Sequence, residues 1–385
     1  MQQIKDETTL ATQPIVPAAL QVYFDKIATL LQDRDLRNSA QNSAVNKIAR
    51  LSTLTILHSL NPDKKYLLVQ FLYNMALIDN ENPILNLAGA ELCDALMGQA
   101  NLARINLSRA DLSSSELAHS DLDFADLRYT RLNKAHLAQA SLVKAKLTGA
   151  NLTEADLSLS DLTGADLNSA KLHGANLNKA ILDGADLHDA HLVKAALREG
   201  RLNGANFTGA YLDIADLRNS ELNHAVFQDS HLRGTDFSEA DMTGSIFIRA
   251  VMIKSIFYKS DLCSVDMKEA NLSYASLIDA RMISADLSKT DLNHANLNHA
   301  NLRTAKLCEA DLSYTNLQNT KLIGADLTRA QLIGANLSGA HLNEANLSSA
   351  DISGANLTGA DLSGAILTGV DLSTANLAGA KLKPY

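Results

Sequence analysis

From residue 87 to residue 382 a large apolar side chain returns every fifth position without one insertion or deletion, sixty times in succession, and all but 11 of these residues are Leu. The exceptions are apolar too: Met97, Phe207, Phe227, Phe237, Met242, Phe247, Met252, Phe257, Met267, Met282 and Ile352. Two residues before each stands a small side chain, as at Ala125, Ala165, Ser160 and Thr290, with Ile105, Val265 and Val370, and Leu85 at the very start, bulkier. Between the two lies a polar residue, often Asp or Asn, so the unit is A-(D/N)-L-x-x. A short fixed period dictates architecture before any local propensity does.

Five matches neither the 3.6-residue period of a helix nor the two-residue period of a strand. It fits a chain that bends once per unit, sending the small residue and the Leu inward and the other three outward. Four bends close a square coil of 20 residues, and coils stack at roughly 4.8 Å, the spacing of parallel strands. Sixty units then give fifteen coils and a rod roughly 70 Å long. Burying 49 Leu side chains contributes on the order of 100 kcal/mol, against a conformational entropy of similar size.

These residues resemble the pentapeptide-repeat family over about 300 positions. The resemblance implies a mainly β fold, a right-handed quadrilateral parallel β-helix, in keeping with the usual hand of parallel crossovers. It implies little about function.

The first 84 residues lack the period. Leu20, Phe24, Ile27 and Leu31 form one helical stripe between Pro17 and Arg34; Val45, Ile48, Leu51 and Leu54 or Thr55 form a second. Asn61-Pro62 reads as an N-cap followed by Pro at the first helical position, opening a third helix through Phe71 and Met75 to about Asp79. We expect a three-helix capping module over 1–84 and the rod over 85–385, because a solenoid's first coil exposes apolar side chains and unpaired backbone. The run LLVQFLYNMALI, 12 residues long, falls short of a membrane span. The stretch IARLSTLTILHSLNPDKKYLLVQFLYNMALI with NPILNLAGAEL is similar to the segment that introduces the rod in cyanobacterial members of the family, some of which carry a transmembrane hairpin absent here.

Cys93, Cys263 and Cys308 each follow an inward position and fall on three different faces, so they cannot pair within one chain. With the polar start MQQIKDETTL, a cytoplasmic location is expected.

Charge bears on function. Residues 1–85 carry 8 basic and 8 acidic side chains, leaving 26 basic and 35 acidic in the rod. Sorted by face, the net charges are −1, −2, −3 and −3. Some pentapeptide-repeat proteins mimic duplex DNA and bind type II topoisomerases, which demands a phosphate-like stripe; no face has one. DNA mimicry is therefore the alternative reading and a protein-docking rod the main one. Direct nucleic-acid binding lacks its basic stripe.

Three outward features could carry specificity. Ile246, Ile248, Val251, Ile253, Ile256 and Tyr258 form an apolar belt across three successive faces, either a contact site or coincident β-branched strand propensity, with Arg249 and Lys254 as gatekeepers. Tyr274, His294 and Tyr314, spaced by 20, should stack along one edge as a contact strip or as an ordinary ladder. Glu221, Asp241 and Asp261 should lie within roughly 5 Å of one another, attracting a cation or raising one another's pKa, unless solvent and rotamers relieve them.

Catalysis needs a concave, water-excluding site, whereas the rod's histidines, among them His119, His136, His224 and His299, project from a convex exterior. No cofactor, metal or enzymatic motif is expected. Gly164, Gly174, Gly334 and Gly359 fall at outward bends. At the far end, Lys381, Lys383 and Pro384 are the visible protection of the last coil, which predicts either end-to-end self-association there or a monomer.

Overall fold

The computed structural model describes residues 18–32, 35–40, 43–78 and 83–382. From Glu91 onward the residue before each inward Leu-like position forms a parallel bridge with its counterpart 20 residues later, from Glu91↔Asp111 and Leu96↔Glu116 to Asp361↔Lys381, except that Asp351 has none to Asp371. That offset is four units, so the chain closes one turn of a parallel β-helix per four pentapeptides. The inward residues are buried from Leu87 to Leu362, each no more than 4% exposed.

The fate of the five N–H groups explains the consensus. In the unit around Leu112, Asp111 donates to Ala90 O at 2.8 Å in the coil before, while Leu112 and Ser114 donate to Arg131 O and Asn133 O at 2.7 and 3.0 Å in the coil after. Ser115 closes the bend on Leu112 O at 3.2 Å. Only Ser113 N–H has no backbone partner, and the Asp111 carboxylate accepts from it at 3.0 Å. Asp and Asn dominate this position because a short side-chain acceptor there satisfies the one donor that the coil leaves over.

Where another residue replaces them, an Asp or Asn from the preceding coil can substitute. Val143, Arg198, Asn203, Asn223 and Arg233 donate their N–H to Asp123, Asn178, Asp183, Asn203 and Asp213 respectively, at 2.8–3.0 Å. Replacing Asp213 by Ala is thus expected to destabilise by about 1 kcal/mol through the donor on Arg233, one coil away; equal unfolding midpoints for variant and parent would contradict this.

Each bend places its last residue in the left-handed region whatever its side chain: Lys144 at φ 55°, Lys194 at 61°, Tyr274 at 61°. Glycine is required where a neighbour leans over the corner. A Cβ on Gly334 would come 2.8 Å from the Tyr314 ring, and one on Gly149 would come 2.7 Å from Tyr129. Buried hydroxyls at the small inward position are satisfied locally, as where Ser160 donates to Leu157 O at 2.6 Å.

Five phenylalanines form one block in the rod's core. Phe227 lies parallel between Phe207 and Phe247, 4.7 Å from each, while Phe237 stacks on Phe257 at 5.1 Å. Phe237 then meets Phe227 and Phe247 edge-on across the interior, at 6.0 Å.

Ahead of the rod stand α1 (Ala18–Gln32), a short 3-10 turn (Leu36–Asn38), α2 (Ala44–Ser59) and α3 (Pro62–Asn74). Ser43 caps α2 by accepting from Asn46 N–H at 3.1 Å. Asn61 and Pro62 open α3 as expected, although Asn61 makes no side-chain cap bond. That helix ends at Asn74, where Ala76 turns left-handed at φ 52°; Asp79 lies outside the described residues, as do Pro17, Arg34, Lys383 and Pro384.

The α2 stripe must be corrected. Ile48 and Leu51 are exposed, 42% and 61%, while α2 packs through Asn46, Ala49, Thr53 and Leu57. The polar side faces inward because it has partners there: Thr53 bonds the buried Tyr23 hydroxyl at 2.7 Å, and Asn46 donates to Ile84 O. Arg50 reaches the carbonyls of Asn86 and Ala88 at 2.9 and 2.6 Å. From α3, Lys65 donates to Cys93 O at 3.0 Å and Tyr73 to Asn101 Oδ1 at 2.8 Å.

The two ends of the rod differ. Leu87, Leu92, Met97 and Leu102 are buried beside these helices, whereas Leu367, Leu372 and Leu377 are half-buried and Leu382 is 44% exposed. A 3-10 turn at Leu372–Thr374 breaks the regular bend there.

Candidate interaction surface

The residues of the apolar belt all lie on the exterior. Ile246, Ile248, Val251 and Ile253 are half-buried, and Ile256 and Tyr258 are exposed. None of Ile246, Val251 and Ile256, the residues before the Leu-like position, offers a side-chain acceptor. The N–H groups of Ile248, Ile253 and Tyr258 accordingly find no acceptor among the described residues. Single units and adjacent pairs elsewhere share that property, as at Asn133 and Ala138; three in succession occur only here among the described residues. The belt therefore combines apolar surface with a run of free backbone donors.

A second element joins it that the sequence reading missed. His191, Tyr211 and His231 stack at 4.9 and 4.7 Å with interplanar angles of 7° and 12°, and His231 bridges to Val251 of the belt. The signal was a 20-residue spacing, the same one that exposed the other aromatic column. That column is present as expected: Tyr274, His294 and Tyr314 stack at 5.0 and 5.2 Å, with both tyrosines more than half exposed. Its corner is the one that Lys254 occupies a coil earlier, beside Ile253 of the belt, where Lys254 N–H donates to Ser273 O at 3.0 Å.

The acidic column needs a correction. Glu221, Asp241 and Asp261 are bridged in succession as expected, but Asp241 is not raised by its neighbours. Asp261 is paired with Arg281 at 3.0 Å. Burial pushes the Asp241 carboxyl up, but hydrogen bonds from Thr243 and Asn223 outweigh it and hold the group below the usual carboxylate range. No cluster of His, Cys, Asp or Glu able to hold a metal occurs among the described residues.

Neutralisation of carboxylates is general. Arg131 pairs with Asp111 at 2.7 Å, Arg201 with Asp183 at 2.5 Å, and Arg198 and Arg218 converge on Asp216 at 2.5 and 2.7 Å. Lys268 sits between Asp266 and Asp286 at 3.0 and 3.3 Å. For Asp286, hydrogen bonds from Ser288 and Lys268 prevail over burial, so its folded pKa is lowered. Asp351 is lowered by its bonds from Ser353. A depressed carboxylate pKa contributes stability that is present above the unfolded value, about 3.9, and lost as pH falls through the folded one. The melting temperature should therefore drop as pH is taken below about 4, as calorimetry across an acid series would reveal.

A groove of about 420 Å³ lies between α1 and α2, lined by Val22, Tyr23, Lys26, Leu51, Ser52 and Ile56 among others. Lys26 donates to Ser52 Oγ there at 2.7 Å. No helix among the described residues is long and apolar enough to cross a membrane.

Comparison with known proteins places this geometry. A family model described as Pentapeptide repeats matches eleven segments, beginning with residues 86–123 and ending with 355–383. Among solved structures, the chain is similar to HetL, a pentapeptide repeat protein involved in heterocyst differentiation regulation from the cyanobacterium Nostoc sp. strain PCC 7120. The identity is 33%, over 60% of this chain and 90% of that one, with a TM-score of 0.28. It is also similar to QnrB1, a plasmid-mediated fluoroquinolone resistance protein, at 23% identity over 50% and 91% of the two chains, with a TM-score of 0.26. Rfr23 from the cyanobacterium Cyanothece 51142 is 41% identical over 25% of this chain and 58% of its own, with a TM-score of 0.14. No curated protein matches.

Proposed function

Because the chain belongs to the pentapeptide-repeat family, we propose that it works without chemistry of its own, as a rod whose exterior docks a protein partner. Pentapeptide repeats imply a right-handed quadrilateral β-helix, and bridges four units apart accord with it. In this reading residues 85–385 form about fifteen coils and the helical module over 1–84 closes the first of them.

The observation that carries the reading is the belt at 246–258. Apolar side chains beside three free backbone N–H donors suit a polypeptide, which supplies both apolar side chains and carbonyl acceptors. The His191–Tyr211–His231 stack lengthens the same surface along the rod. Three free, half-buried thiols fit a reducing compartment, and we place the protein in the cytoplasm on that ground.

The test is affinity capture from a lysate with the parent beside an Ile248→Asp, Ile253→Asp double variant. A partner retained by the parent and lost by the variant is expected, with unfolding midpoints alike because both positions face outward. An identical captured set would overturn the docking role of the belt.

Mimicry of DNA fits the surface poorly, since Arg and Lys quench the carboxylates that would stand for phosphates. A gyrase supercoiling assay is expected to show no inhibition at micromolar protein. Inhibition would bring that second reading forward.

A further inference from the structure

Lys65 on α3 is 5% exposed, yet among the described residues no carboxylate lies within ion-pairing reach of its ammonium. A buried cation with no anion is unfavourable, so its two contacts carry weight. Nζ donates to Cys93 O at 3.0 Å and lies 3.6 Å from Cys93 Sγ. Of these two atoms, the sulfur is the one that can take up a full negative charge. Glu91, in the same unit, is engaged elsewhere by His58 Nδ1 at 2.5 Å.

The chain contains its own controls. Cys263 and Cys308 occupy the same place in their units and are also half-buried, so accessibility does not separate the three. Both have carboxylates where Cys93 has an ammonium. Cys308 Sγ donates to Asp326 Oδ2 at 3.0 Å, and burial together with Asp326 pushes its thiol up to about 11. Burial and Asp261 push Cys263 up as well.

We propose that Cys93 is an oxidant-sensitive thiol, set apart by the Lys65 ammonium, and that hydroperoxides modify it at the joint between α3 and the first coil. The thiolate is the nucleophile in such chemistry. Its sulfur attacks one peroxide oxygen, the S–O bond forms as the O–O bond breaks, and sulfur is oxidised by two electrons. The alkoxide that leaves, or hydroxide in the case of hydrogen peroxide, takes a proton from solvent to become an alcohol or water, and the product is a sulfenic acid. Since Lys65 spans from α3 to this sulfur, oxidation alters one of the contacts that seat the helix on the rod.

The experiment treats the full-length protein with hydrogen peroxide, traps sulfenic acid with dimedone and quantifies each cysteine by peptide mass spectrometry. Cys93 is expected to be trapped about tenfold faster than Cys263 or Cys308. Lys65→Met should bring it down to their level, while Lys65→Arg preserves the preference. Trapping of Cys93 no faster than Cys263 in the unaltered protein overturns the proposal, and that comparison depends on no variant's folding. An unchanged Cys93 rate in Lys65→Met would overturn the role of the lysine. Loss of hydrogen-exchange protection confined to α3 after oxidation supports the coupling to the joint; unaltered protection there refutes it.

Discussion

Replacing Phe227 by alanine is expected to destabilise the protein by about 3–5 kcal/mol. The ring is fully buried, sandwiched between Phe207 and Phe247 at 4.7 Å and met edge-on by Phe237, so its removal forfeits contacts on three sides. The coil cannot collapse to fill the space, because each neighbouring backbone is pinned by hydrogen bonds to the coils before and after. Two stacked pairs and one edge contact disappear together, each worth about 0.5–1.5 kcal/mol beyond area burial. Leu159, 52% exposed at a corner, is the control: its alanine variant should stay within about 0.5 kcal/mol of the parent. Guanidinium unfolding of the two variants decides the matter, and a Phe227→Ala loss under about 1 kcal/mol would contradict the packing described.

Removal of residues 1–82 should have the second large effect. The first-coil residues Leu87, Leu92, Met97 and Leu102 are now no more than 1% exposed; without the helices they would resemble the open end around Leu367 to Leu382. Arg50 and Lys65 would also vanish from the carbonyls of Asn86, Ala88 and Cys93 that they satisfy. Stability in a solenoid is close to a sum over repeats and their interfaces, so loss should begin at the bared edge and spread inward. Native-state hydrogen exchange gives the readout. In the intact protein protection should decline beyond Leu362 only; in the truncated one it should decline from both ends, with aggregation at high concentration. Equal protection of the first coil in the two proteins would show that the helices contribute nothing to closing it.

Much of this was legible from the five-residue period alone. Each column, Tyr274–His294–Tyr314 included, follows from counting by 20, and so does the placement of the three cysteines. The His191–Tyr211–His231 stack carries the same 20-residue signal and is legible in the sequence once outward rings are counted column by column. The direction of the Asp241 shift could not be read from spacing, because it depends on which amide and hydroxyl turn toward the carboxylate. Helix α2 failed for a different reason. A 16-residue helix with apolar residues on several sides presents more than one plausible stripe, and the choice was made by the polar contacts of Asn46, Arg50 and Thr53 with segments distant in sequence. The pairing of Lys65 with Cys93 joins residues 28 apart across two kinds of structure, and no periodicity encodes it.

The left-handed bends leave a margin of stability unclaimed. A residue with a Cβ held near φ +60° is disfavoured by roughly 1–2 kcal/mol relative to its usual conformation, and the chain accepts this at Lys144, Lys194, Lys254 and dozens of similar corners. Glycine would relieve the strain at each, yet the rod keeps long charged and aromatic groups there. Those vertices hold the protein's free alphabet: letters that folding does not dictate and would prefer erased, and by which one stretch of an otherwise uniform column differs from the next.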